Sequence, residues 1–380
     1  MNKIDRLLEK EGLDGFLIKD DSSNPNLYYL TNFEAPDSFI YLRTGGKDII
    51  LVSSLEYSRA KEEADVDKVL NTSRYIKEDS RNNEDKQTSM INQFLEEQEI
   101  EKIGVPADFS LKLADKLRQK RRVNAFENPA KQQRKIKTGE EKEKLKEAQK
   151  TTEKAMKKAQ EMIKKSEIRD EKLMLEEEAL TSEKIKRELK KFLIDEGCTV
   201  PEETIVASGK ESAKPHETGS GIIRPGEPVI IDIFPCRNHY FGDMTRTFVK
   251  GGMPERMRKM EDAVGEALRK ALEKIEPGVK AAEIHGGVCD VFEGRGFETL
   301  RTGAEEKGFL HSTGHAVGLD PHEEPRIASN EDKLEPGMVL TIEPGLYDPG
   351  IGGLRTEDMV FVTEDGYENF NSMRKEVIEL

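Results

Sequence analysis

The chain has 380 residues, 36% charged and 35% hydrophobic, with a formal net charge of −14 at pH 7. That length supports two domains and a large buried core, while the acidic balance excludes a protein that tracks nucleic-acid phosphates with a basic surface. No run approaches the roughly 20 apolar residues of a membrane span, and the widely spaced Cys198, Cys236 and Cys289 form neither a disulfide framework nor a CxxC thiolate site.

The start, MNKIDRLLEKEGLDG, is charged and lacks the apolar core of a secretory signal, so a cytoplasmic location is expected. Residues 1–130 read as a small α/β unit. A helix ending at Gly12 leads into the short strand Phe16, Leu17, Ile18. Strands over 38–42 and 48–52 flank the turn Thr44-Gly45-Gly46-Lys47, a hairpin signal. Helical spacing follows over 55–64 and 90–97, then a strand at 103–105 and a helix over 111–118. Asn128-Pro129 reads as the end of the unit.

The second domain is expected over 131–380. Thr138 with Glu141 three residues later is a capping-box signature, and Leu145, Ala148, Thr152, Ala155 and Ala159 then recur at helical spacing. Further helices are predicted over 182–196, closing at Gly197, and over 255–275 and 281–293. The segments around 203–208, 228–249, 338–346 and 353–363 are β-like. Hairpins outnumber crossover units, so the fold class is α+β.

Two hairpins gather acids. If 229–232 and 243–249 pair about a turn between Arg237 and Asn238, Asp232 faces Asp243 with Cβ atoms about 5 Å apart. Asp232 sits inside Val-Ile-Ile-Asp-Ile-Phe, where a solvated surface acid is out of place. A second hairpin centred on Gly350 sets Glu343 opposite Glu357, with Arg355 on the same face. His311, His315 and His322 crowd into LHSTGHAVGLDPHEEP, and they are half of the six histidines in the chain. His216 stands apart in Lys-Pro-His-Glu. His239 reads as a turn residue and His285 as a helix-face residue. Unpaired buried carboxylates repel one another and resist ionisation, whereas divalent cations would offset them.

Taken together, IIDIFPCRNHYFGDMTRTF, FLHSTGHAVGLDPHEEP, LTIEPGLY and GGLRTEDMV resemble the pita-bread metallopeptidases of the aminopeptidase P and prolidase branch. The resemblance runs through most of the second domain and, more weakly, into the first at Asn24-Pro25-Asn26-Leu27-Tyr28-Tyr29-Leu30-Thr31. It implies a pita-bread catalytic domain behind a smaller α/β domain of the creatinase/prolidase type. Methionine aminopeptidases share the ligands but usually lack that first domain, and creatinase-type members lack the ligands.

Carried over residue by residue, the resemblance implies two divalent cations. Asp232 would hold one, His315 and Glu343 the other, and Asp243 and Glu357 would bridge. Mn²⁺ is the first expectation, and Co²⁺, Fe²⁺ or Zn²⁺ also suit oxygen-rich ligation with one imidazole. Glu343 would move protons, His216, His311 and His322 would meet substrate or the transition state, and Tyr347 and Arg355 would support them. The implied reaction is hydrolysis of the Xaa-Pro bond in proline-containing peptides. Arg326 would grip the proline carboxylate of a dipeptide, which leans the reading toward a prolidase. Longer peptides, or a silent binding homologue, are the alternatives. Family members are commonly dimers, which implies a homodimer.

Overall fold

The computed structural model describes residues 2–76 and 83–380. The chain divides into two compact units, Met1–Arg134 and Lys135–Leu380.

In the first unit, a six-stranded mixed sheet runs in the order Lys68–Asn71, Lys47–Val52, Phe39–Thr44, Gly15–Asp20, Lys102–Pro106, Arg122–Phe126. Its central strand is covered on both faces. Phe16 and Ile18 enter one apolar cluster and Leu17 the other, which is why the strand reads as an unbroken apolar run. The predicted hairpin turns through Gly45 and Gly46, both at positive φ (54° and 75°), the two-residue geometry that suits strand twist. Asn128-Pro129 does not end the unit. Asn128 caps a short helix, Pro129–Arg134, with proline at its first position, where no backbone donor is needed.

The second unit pairs two sheets with two pairs of helices. The helix Gly139–Lys165 opens with the predicted capping box, Thr138 and Glu141 each satisfying the other's backbone amide. Its inward residues Leu145, Ala148, Thr152, Ala155 and Ala159 are all fully buried. With Ser182–Asp195 it packs on a sheet ordered Ile205–Ser208, Pro228–Ile233, Met244–Val249, Ile378–Glu379. The helices Glu255–Glu273 and Ala281–Gly294 cover a second sheet ordered Glu323–Ile327, Gly314–Ala316, Val339–Ile342, Asp358–Thr363, Gly366–Asn369. Patterning did not predict the strands at Gly314–Ala316 and Glu323–Ile327, nor the three-stranded meander Glu167–Arg169, Lys172–Leu175, Glu178–Ala179.

One expected register is corrected. The first hairpin turns through Asn238 and His239, both at positive φ (49° and 70°), one residue later than predicted. Asp232 therefore faces Thr245, not Asp243. Asp243 stays on the same side of the pleat, two residues nearer the turn. The second hairpin is centred as expected: Ile342 pairs with Asp358 and Gly345 with Arg355, so Glu343 stands across from Glu357 between the two ladders.

Candidate metal centre and active site

Asp243 is fixed through its backbone. Gln149, on the long helix, accepts from the Asp243 N–H at 2.7 Å and donates to its carbonyl at 2.7 Å. Gly242 permits this approach, because a Cβ there would lie 2.2 Å from the Thr152 hydroxyl and 2.8 Å from the Ala148 backbone. Across the cluster, Glu343 donates its N–H to the Thr313 carbonyl (2.8 Å), and Glu357 donates its own to the Thr245 carbonyl (3.1 Å). That last bond joins the second sheet to the first hairpin.

His315 sits on the strand Gly314–Ala316, where a Cβ on Gly314 would lie 1.9 Å from the Thr341 carbonyl oxygen. Only glycine lets these strands meet. The Nδ1 of His315 lies 3.1 Å from the Ala316 carbonyl, which can only accept, so Nδ1 carries the proton and Nε2 keeps a free lone pair. That Nε2 is 3.4 Å from Glu343 Oε1 and 3.8 Å from Asp243 Oδ2. Asp243, His315 and Glu357 each offer a ligand atom within 4.8 Å of the others.

Burial is the largest influence on the titration of these groups. It drives the carboxyls of Asp243 and Glu357 well above the ordinary range, and the neighbouring acids add to the shift. Glu343 is pushed up to about 7 by burial, with Asp232 adding and Arg355 opposing. The same burial, with the neighbouring His322, lowers His315 to about 3 and keeps it neutral. Arg355 is the cation placed among these acids, and it bonds Asp232 at 2.7 Å. Three buried carboxyls beside a neutral imidazole with a free lone pair therefore lack compensating charge. Oxygen-rich donors with one nitrogen are the set that suits divalent cations, so the residues fit the metal centre they resemble.

A hydrogen-bonded chain backs the cluster. Arg355 donates to Tyr347 Oη (2.9 Å) and to the Pro215 carbonyl (3.2 Å). His311 donates from Nδ1 to the Ser312 carbonyl (2.7 Å), so its Nε2 must accept from Tyr347 Oη at 2.8 Å. Burial, reinforced by Arg355, lowers His311 to about 3. Tyr347 is pushed up to about 12, again by burial. Both are neutral and both nitrogens of His311 are engaged.

The remaining expected residues lie toward solvent. The His322 ring packs edge-on against His315 with centroids 4.4 Å apart and is itself exposed. His216 is exposed next to Pro215, whose carbonyl Arg355 holds. Arg326 pairs directly opposite His315 in the ladder, so the two side chains share a face, and it is also exposed. The segment carrying His322 is anchored by Glu323, which accepts from the Leu319 N–H (2.9 Å) and pairs with buried Lys137 at 2.7 Å.

Three residues escaped sequence reasoning. Gln149 and Thr245 look like ordinary helix and strand residues. Arg246, fully buried, pairs with Asp358 at 2.8 Å and donates to the carbonyls of Thr245 and Glu357. The one signal within reach was Thr245, two residues beyond Asp243 and hence on the same face.

Comparison with known proteins adds an independent line. The model for metallopeptidase family M24 matches residues 143–364, and that for the creatinase/prolidase N-terminal domain matches residues 1–136. The chain belongs to metallopeptidase family M24. The Xaa-Pro dipeptidase of Pyrococcus horikoshii is 30% identical over 386 residues, covering 100% of this chain and 98% of that protein. The solved Xaa-Pro dipeptidase from Bacillus anthracis superposes with a TM-score of 0.85 at 26% identity, over 100% of this chain and 99% of that one. The X-Pro aminopeptidase from Thermotoga maritima superposes with a TM-score of 0.82 at 25% identity, over 100% of both chains.

Proposed function

We propose that this M24 metallopeptidase hydrolyses the bond between an N-terminal residue and proline, with dipeptides as the preferred substrates. The observation that carries the reading is the convergence of Asp243, Glu357, His315 and Glu343 on one buried point, with Asp232 and Arg355 beside it. Asp232 would hold one divalent cation, His315 and Glu343 the other, and Asp243 and Glu357 both. Mn²⁺ is the metal we favour. Two bound cations would supply a water of lowered pKa and offset the charge that develops on the scissile carbonyl oxygen.

The chain's own groups do the rest. A proline nitrogen carries no hydrogen in the peptide and must gain a proton to leave. Glu343, whose Oε1 lies 3.4 Å from His315 Nε2 within the cluster, is the carboxyl we assign to passing that proton to the nitrogen. Arg355 pairs with Asp232 and tethers Tyr347, which His311 orients in turn. His216 and His322, both exposed, would meet the peptide. We further propose a cytoplasmic homodimer.

Arg326 decides between dipeptidase and longer-peptide activity. Its exposed guanidinium shares a face with His315 and could take a free proline carboxylate through a charge-assisted pair. Arg326→Ala should raise KM about 10-fold or more for Xaa-Pro dipeptides, the loss of one charged hydrogen bond, and change KM for Xaa-Pro-Xaa peptides little. Equal effects on both would sink the assignment and favour the second reading, an aminopeptidase on longer peptides, which the likeness to the Thermotoga maritima enzyme supports.

A further inference from the structure

Thr245 is fully buried and faces Asp232 across the first hairpin. Its Oγ1 lies 3.3 Å from Arg355 Nε and 2.8 Å from Glu357 Oε2. A guanidinium can only donate, so the hydroxyl accepts from Arg355 and its single hydrogen goes to the Glu357 carboxylate. One side chain thereby stands between the positive and negative groups of the cluster and fixes the direction of both bonds. From this geometry we infer that Thr245 is a positioning residue for the metal centre. It orients Glu357 toward the cations and keeps Arg355 on Asp232.

Removing the hydroxyl leaves two buried partners, Arg355 Nε and Glu357 Oε2, each without its bond. A direct Arg355–Glu357 ion pair would draw that carboxylate out of the ligand set. The inference rests on reading the cluster as a divalent-metal site, and the test separates the two. Thr245→Val keeps the shape and deletes the hydroxyl, whereas Thr245→Ser keeps the hydroxyl and deletes the methyl.

The experiment is calorimetric titration of chelator-treated protein with Mn²⁺ alone, alongside circular dichroism. Thr245→Val should bind Mn²⁺ about 10–100-fold more weakly than wild type with its fold intact, and Thr245→Ser within about threefold of wild type, as for hydrogen bonds that orient metal ligands elsewhere. Wild-type affinity in Thr245→Val would overturn the inference. Equal weakening in both variants would also overturn it, because packing would then be the cause. If Thr245→Val fails to fold, the same comparison is made between Thr245→Ala and Thr245→Ser. No Mn²⁺ uptake by wild type would overturn the metal-centre reading itself, and this inference with it.

Discussion

Each compact unit contains a group of acids around one buried arginine, the acids half-buried in the first unit and mostly buried in the second, and the two groups balance charge differently. In the first unit, Arg43 grips Asp5 through Nε and Nη2 (2.9 and 2.7 Å) and Asp48 through Nη1 (2.8 Å). Tyr41 donates to the same Asp48. The hydrogen bond from Arg43 holds Asp5 below the usual carboxylate range. In the second unit, Arg355 is committed to Asp232, while burial and mutual repulsion drive Asp243 and Glu357 above that range. Acids paired by their neighbours keep a hairpin in place. Acids left unpaired at the junction of two sheets call for cations from outside the chain.

Substitutions in the two groups should have unequal consequences. The largest effect is expected at Glu343: Glu343→Gln should cut kcat by about 10²–10⁴-fold, the usual worth of a proton-transfer group, with the melting temperature close to wild type. A variant retaining near-normal kcat would remove Glu343 from proton transfer. Next is metal removal. Saturating Mn²⁺ at about 1,000 times its Kd should stabilise the protein by about 4 kcal/mol, and a chelator should reverse this. An unchanged melting temperature would mean that the acids are balanced within the chain. The smallest effect belongs to the first unit. Asp48→Asn should cost about 1–3 kcal/mol of stability while leaving Mn²⁺ affinity unchanged. Loss of metal binding in that variant would contradict the separation of the two groups.

The pH dependence follows from opposed shifts. Glu343 is raised from an ordinary 4.5 to about 7, so its contribution favours folding below about pH 4.5 and is lost as pH rises through 7. His315 is lowered from 6.5 to about 3, so its contribution is present above 6.5 and is lost as pH falls toward 3. Near neutral pH metal competes with a proton at Glu343, whereas His315 is already neutral there. The rise in melting temperature on adding Mn²⁺ should therefore grow between about pH 5.5 and 7.5. A rise that stays flat or shrinks would contradict the burial of these ligands.

The two hairpins also show how much was legible beforehand. The second was read in register because Asp348-Pro349-Gly350-Ile351-Gly352-Gly353 marks its own turn, and the ladders on either side agree with it. The first was misread by one residue because its turn is built from Asn238 and His239, without a glycine to mark the positive-φ positions. The missed meander has the same cause: its turns put Asp170, Glu171, Glu176 and Glu177 at positive φ, in a segment with only Leu173 fully buried among its apolar residues. The acids and His315 stood out because charge is improbable inside apolar runs. Thr245 and Gln149 did not, because a threonine in a strand or a glutamine in a helix is unremarkable until the partner is seen across 112 or 94 residues of chain.

The most direct test of the charge argument is the number of cations the protein takes up. Titration of chelator-treated protein with Mn²⁺ near neutral pH should give two ions per chain with proton release, and Asp243→Asn or Glu357→Gln should abolish at least one of them. A folded wild-type protein that binds none, or variants that bind as wild type does, would contradict the account.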